Sequence, residues 1–283
     1  MDALSAEISQ ITGRDVEHVA PLTGGCVGEV YRIWLAGGET LVAKTGRPGD
    51  PLDVEGWMLR YLGEHSSLPV PDVILARDLL LVMSNIDGED ALSPASEIHA
   101  AELLAALHDV TADDFGLDRD TVIGGLHQPN GLYPSWVEFF RDRRLLYMAD
   151  EAEREGQISS ETRIRIDDLA KRLAEFLEEL HTPSFLHGDM WGGNILVHGD
   201  RIAGFVDPAI YYGDPEIELS FATMFSTFGE GFFRRYGELR PLRPDFFDIR
   251  RDIYNLWPLL IHARLFGGGY AEAVAKTLTR LGF

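Results

Sequence analysis

The stretch HGDMWGGNILVHGDRIAGFVDP, residues 187–208, contains two short apolar runs, ILV at 195–197 and IAGFV at 202–206, joined by the turn residues HGDR. Such a pattern reads as a β-hairpin. Asn194 precedes the first run and Asp207 follows the second, so the turn returns both to the same open end. A carboxylate and an amide oxygen held together offer hard oxygen ligands, the kind Mg²⁺ takes when it also carries substrate phosphates. Asp189 lies at the other end of the loop, five residues before Asn194, where an aspartate can accept a proton from an attacking hydroxyl. Asp and Asn before glycines are also ordinary loop formers, and His-Gly-Asp alone reads as a turn. What argues for chemistry is the three polar positions together, flanked by strands.

Their spacing, H-x-D-x-x-x-x-N and then a hairpin ending in Asp, is that of a kinase catalytic loop and its metal aspartate. Such a site also needs a glycine-rich turn over the nucleotide, a lysine on the next strand and a glutamate to hold that lysine. The first ninety residues supply candidates for each. TGGCVGEVYRI carries Gly24, Gly25 and Gly28, small enough for backbone to approach phosphate, although such a turn is frequent elsewhere. Lys44 in ETLVAKT shares a side with Val42, which places an ammonium on an apolar face. Glu55 shares a helix face with Met58, Leu59 and Leu62. Two inward charges of opposite sign in neighbouring elements predict a Lys44–Glu55 ion pair; the alternative is a snorkelling lysine at a sheet edge and a solvated glutamate.

Strand-like runs at EVYRIWL, ETLVAKT, DVILA and LLLVM, with AGGE as a hairpin turn, fill the first ninety residues together with the helix VEGWMLRYLGEH. From about Ser93 the periodicity turns helical, including a segment with Leu169, Leu173, Phe176, Leu177 and Leu180 at helical spacing. The fold class is therefore α+β and bilobal. A small antiparallel sheet lobe over 1–86 is followed by a larger, mostly helical lobe over 87–283. At the junction, a kinase reading puts Met83 beside adenine and the Ser84, Asn85 and Ile86 backbone along its edge; Met83 alone reads equally well as core.

With 283 residues, Lys plus Arg at 25 and Asp plus Glu at 46, the formal charge is −21, which repels nucleic-acid phosphates. No long uncharged apolar run suggests a membrane span. The acidic amino-terminal segment lacks the basic start of a signal peptide, and Cys26 is the only cysteine. A cytoplasmic protein without disulfides is expected.

Taken together, HGDMWGGNILVHGDRIAGFVDPAIYYGDPEIELSFATMF and the later YNLWPLLIHARLFGGGY closely resemble the fructosamine-3-kinase (ketosamine-3-kinase) family, within the protein-kinase-like phosphotransferases. The resemblance runs from about Gly24 to Tyr270. It implies a protein-kinase-like fold and ATP- and Mg²⁺-dependent phosphorylation of the sugar 3-hydroxyl of ketoamines, free or on glycated protein lysines. By position it implies Asp189 as catalytic base, Asn194 and Asp207 as metal ligands, Lys44 as the phosphate lysine held by Glu55, and Trp191 as a sugar contact. Asp214 is a weaker substrate candidate, because one acid of YYGDPEIEL is also expected to cap a helix or tie down the catalytic loop. Trp257, His262 and Tyr270 read as packing residues. Cys26 falls where the family often carries a cysteine, which raises redox sensitivity as one reading and a small turn residue as the other. A kinase of another amine-bearing alcohol, such as an aminoglycoside or choline, shares the same phosphate machinery. A non-catalytic pseudokinase would lack Lys44, Asp189 or Asp207.

Overall fold

Alternation in the first ninety residues resolves into five antiparallel strands: β1 (Val16–Leu22), β2 (Glu29–Leu35), β3 (Thr40–Thr45), β4 (Val73–Arg77) and β5 (Leu80–Ser84), in the order β1-β2-β3-β5-β4. The computed structural model describes residues 2–22, 28–88 and 90–283. Gly24, Gly25 and Cys26 lie outside the described residues. The AGGE turn joins β2 to β3 as expected, with Leu35 N–H donating to the Glu39 carbonyl at 2.9 Å. Along β3, Leu41 and Ala43 face one apolar cluster under helix α1 (Asp2–Thr12), whereas Val42 and Lys44 face a cleft.

Helix α2 (Leu52–His65) packs in two directions. Leu52 and Leu59 sit with Leu81 and Met83 of the sheet, and Met58 and Leu62 enter the core of the second lobe. One amphipathic helix thereby fastens the lobes and carries Glu55 inward.

The larger lobe is mostly helical: α3 (Pro94–His108), α4 (Trp136–Phe139), α5 (Tyr147–Arg154), α6 (Ser160–Ala170), α7 (Pro215–Met224), α8 (Glu230–Leu239), α9 (Arg251–Phe266) and α10 (Gly269–Leu281). A π-helical turn, Phe140–Leu146, joins α4 to α5. Six short strands among the described residues add small sheets that helical periodicity did not predict. Strands β6 (Phe115–Leu117), β9 (Gly131–Tyr133), β10 (Ser184–Leu186) and β13 (Tyr211–Gly213) form one sheet, while β7 (Thr121–Ile123) and β8 (Leu126–Gln128) form a hairpin. The expected hairpin is present as β11 (Ile195–His198) and β12 (Arg201–Phe205).

The helical reading of residues 169–180 is corrected. α6 ends at Ala170 and only the short turn Leu173–Glu175 follows. Pro183 restrains the preceding residue to an extended backbone leading into β10, and Phe176 packs on Phe283 from a turn. No helix of the described residues is long and apolar enough to cross a membrane.

Candidate active site

Lys44 and Asp207 come from different lobes and meet. Lys44 Nζ, on a residue only 5% exposed, donates to Glu55 Oε1 at 2.6 Å and also to Asp207 Oδ1. Burial opposes the ammonium, but the charges of Asp207 and Glu55 outweigh it and hold its pKa above the ordinary lysine range. Burial, joined by the charge of Asp207, raises the Glu55 carboxyl despite the lysine beside it. The buried ion pair expected from alternation and helix phase is present.

Asn194 ends a tight turn, Gly192–Asn194, before β11, and its carbonyl accepts from Val206 N–H at 3.0 Å. The ladder therefore brings Asn194 and Asp207 together. Asn194 Nδ2 donates to the Asp189 carbonyl at 2.9 Å and to Asp189 Oδ2 at 3.0 Å. With its N–H groups engaged there, the Oδ1 atom remains as an acceptor alongside the Asp207 carboxylate. Two hard oxygens suit Mg²⁺, which takes one or two protein ligands and fills its octahedron from phosphates and water.

Asp207 has φ 53°, in the left-handed region, against the ordinary preference of a residue before proline for extended backbone. The strain costs about 1–3 kcal/mol and persists because surrounding hydrogen bonds over-determine the turn.

His187 explains part of that rigidity. It is fully buried; its Nδ1 accepts from Asp189 N–H at 3.3 Å, so Nε2 carries the proton and donates to the Val206 carbonyl at 3.1 Å. Burial lowers its pKa, in keeping with a neutral ring that clips the loop to the end of β12. Glu218, on α7, accepts from Gly188 N–H at 2.6 Å and from His108 Nε2 at 2.8 Å; His108 in turn bonds Tyr236 at 2.7 Å. Asp189 itself is pushed up to about 7, chiefly by burial; the Asn194 bond pulls it down while Asp207 and Glu218 push it up. A carboxylate of that basicity is better matched to proton transfer near neutral pH.

Gly188 has φ +87°, and a Cβ there would lie 2.1 Å from the Ala209 carbonyl oxygen. Only glycine lets the catalytic loop cross the turn after Asp207. Gly188→Ala is expected to destabilise the protein by about 2–4 kcal/mol, combining positive-φ strain with a backbone clash, as measured by denaturant melts. Gly28 is similarly constrained, with φ +72° and a Cβ position 2.4 Å from the Thr45 carbonyl oxygen, so the start of β2 lies close against the end of β3.

A cavity of about 520 Å³ opens between the lobes over Lys44 and Asp207, with Val42 and Met83 above and Leu196 and Val206 below. Ser84, Asn85 and Ile86 also line it. Ser84 N–H already donates to the Asp72 carbonyl at 2.9 Å, and Asn85 N–H points to the Thr40 carbonyl at 3.4 Å. Among the three, Ile86 is left as the backbone donor for a ligand edge.

On the far side of Asp189 lies a second cavity, of about 270 Å³, walled by Trp191, Phe225, His262, Phe266 and Tyr270. Trp191 is 37% exposed, with its ring 5.9 Å from that of Phe225. It lines the same cavity as Asp189. His262 and Tyr270, read as packing residues, are packed among aromatics and also line this pocket, and Phe225 and Phe266 were missed. A signal for Phe266 was present in LFGGGY, where aromatics flank three glycines. Trp257 is core, 1% exposed.

Asp214 is corrected. It is 1% exposed, caps α7 by accepting from Glu216 N–H at 2.9 Å, and binds Tyr254 Oη at 2.5 Å and Arg243. Glu216 pairs with Arg250 Nε at 2.6 Å and Arg243 at 2.8 Å. Of the acids of YYGDPEIEL, Glu218 supports the loop while Asp214 and Glu216 are engaged by arginines, and none of the three lines the aromatic pocket.

The family model for fructosamine kinase matches residues 1–282. A "probable ketoamine kinase" of Vibrio parahaemolyticus is 31% identical over 268 residues, covering 92% of this chain and 91% of that protein. A chloroplastic protein-ribulosamine 3-kinase of Arabidopsis thaliana is 29% identical over 275 residues, covering 93% of this chain and 82% of its own. A solved structure from Thermobifida fusca, named for fructosamine-3-kinase, superposes with a TM-score of 0.88 at 28% identity, covering 99% of this chain and 98% of that one.

Proposed function

This chain belongs to the fructosamine kinase family, and on that premise we propose that it transfers the γ-phosphoryl group of ATP to the sugar 3-hydroxyl of a ketoamine, free or carried on a protein lysine. Residues 1–86 would form the nucleotide lobe and 87–283 the catalytic and acceptor lobe, acting in the cytoplasm as part of glycation repair.

The observation that carries this reading is the order of groups across the cleft. Lys44 and Asp207 meet beneath the inter-lobe cavity lined by Val42 and Met83, and Asp189 stands between them and the aromatic pocket. Phosphoryl transfer asks a protein mainly for positioning and charge neutralisation. In this reading adenine lies against Met83 and takes a hydrogen bond from Ile86, and Lys44 offsets phosphate charge while Glu55 keeps it aimed. Asn194 and Asp207 would hold Mg²⁺, which would supply neutralisation of phosphate charge. Asp189 receives the acceptor hydroxyl's hydrogen bond and takes its proton as the new P–O bond forms. Trp191 offers a flat face to the sugar, and the aromatic rings beyond it suit the protonated amine of a ketoamine.

The test is an acceptor panel with labelled ATP. Fructosyl-lysine and ribulosyl-lysine are expected to be phosphorylated at the 3-hydroxyl, with aminoglycosides and choline unlabelled. Preferential labelling of an aminoglycoside or of choline would overturn the ketoamine assignment.

A further inference from the structure

We propose that Gln128 is a positioning residue: from the hairpin β7–β8 it holds the turn that carries Asp207, so that metal turn and acceptor pocket share one rigid support. This rests on the reading of Asp207 as a metal ligand. Gln128 ends β8 and is 1% exposed. Its Nε2 donates to the Ala209 carbonyl at 3.0 Å, two residues past Asp207, and to Thr121 Oγ1 at 2.8 Å across the base of its own hairpin. The other side of Ala209 is engaged too, its N–H donating to the His187 carbonyl at 2.7 Å. Ala209 is therefore the residue at which catalytic loop, metal turn and hairpin are joined, and the strained Asp207 lies just before it.

The far end of the hairpin reaches the acceptor side, where Ile123 and Gly124 line the aromatic pocket. Its base is anchored with unusual investment. Thr121 Oγ1 also accepts from Asn130 Nδ2 at 2.9 Å, and Asn130 Oδ1 accepts from Arg144 Nη2 at 2.7 Å. Arg144 is fully buried in the π-helical turn, donates to the Pro129 carbonyl at 2.8 Å, and lies 3.9 Å over the Tyr211 ring and 4.6 Å over that of Phe139. Burial pulls its pKa down to about 10, so the site bears a desolvation cost for this cation. What the cation secures is the Pro129–Asn130 segment directly after Gln128. A π-turn holding a buried arginine against the root of a two-stranded hairpin is hard to account for by hairpin stability alone, and a function for the hairpin supplies the reason.

The experiment compares wild type with Gln128→Leu, which keeps bulk but removes the donor to Ala209. Thermal melts are recorded with ADP alone and with ADP plus Mg²⁺, beside steady-state kinetics. Wild type should show a melting-temperature rise with ADP that increases when Mg²⁺ is added. In Gln128→Leu the metal-dependent part should largely disappear and kcat should fall about 10–100-fold, the usual range for groups supporting metal ligands. The rise with ADP alone should remain. Absence of any metal-dependent rise in wild type would sink the metal assignment and this inference with it. A metal-dependent rise and kcat both unchanged in the variant, whatever its unliganded melting temperature, would overturn the inference alone. Should Gln128→Leu fail to fold, Thr121→Val, which removes the oxygen bracing Gln128, decides by the same two readings.

Discussion

Replacing Asp189 with alanine is expected to reduce turnover about 10²–10⁴-fold while leaving nucleotide affinity within roughly threefold, the signature of losing a general base. The asymmetry follows from position. Asp189 lines the aromatic pocket and is absent from the lining of the inter-lobe cavity assigned to the nucleotide. It is also part of the scaffold, because Asn194 donates to its Oδ2 at 3.0 Å, so alanine frees that amide to turn. Asp189→Asn separates the two roles: its Oδ1 can still accept from Asn194, but it has no useful basicity. If Asp189 is the base, both variants lose turnover to a similar degree, and calorimetric titration shows nucleotide binding better preserved in the asparagine form. Near-normal turnover in Asp189→Asn would remove Asp189 from the chemistry and leave it as a hydrogen-bonding post.

How much of this site could be read without coordinates depended on whether its residues communicate through local geometry. Lys44 and Val42 alternate along one strand, Glu55 keeps phase with Met58, Leu59 and Leu62, and a hairpin returns Asp207 to Asn194. Each relation is a short-range consequence of strand or helix repeat, and each was visible. Of the acids after Tyr212, one was expected to cap a helix or tie down the loop, as Asp214 and Glu218 do; the weaker reading of Asp214 as a substrate contact failed because its partners are distant in sequence. Asp214 and Glu216 face Arg243 and Arg250, and Glu218 faces His108, 110 residues away in sequence. Composition could show surplus acid but could not show which carboxylates already have a cation. The small strands of the second lobe were hidden for a related reason: strands of three residues carry too few alternations to stand out, and tertiary pairing creates them. The positive φ of Asp207 ran against the local preference before proline, and it occurs at a residue assigned to phosphate chemistry, where such strain is concentrated.

Lys44→Met is expected to cost stability as well as activity, and the stability loss is the more diagnostic effect. The substitution removes the ammonium from Glu55, which is 8% exposed, leaving a buried carboxylate with no cation. Breaking a buried pair in this way costs about 3–5 kcal/mol. Asp207 contributes less, because 27% of its side chain is open to water. The cost must depend on pH. Glu55 already titrates above its ordinary range in the wild type because of burial, and losing Lys44 raises it further. A carboxyl whose folded pKa exceeds its unfolded value is no burden below the unfolded value, where both states are protonated. Its penalty grows as pH rises through the interval between the two. Denaturant melts should therefore show Lys44→Met closest to wild type at the acidic end of the accessible range and furthest from it at neutral pH and above. Glu55→Gln introduced into Lys44→Met should restore much of the neutral-pH loss and flatten the pH dependence, with a coupling of about 0.5–3 kcal/mol between the two sites. Activity should not return in that double variant, because the ammonium assigned to the phosphates is still missing. A double variant no more stable than Lys44→Met at neutral pH would mean that Glu55 finds water once the lysine is gone, and the ion pair would have to be regarded as an aiming device with little cost of burial.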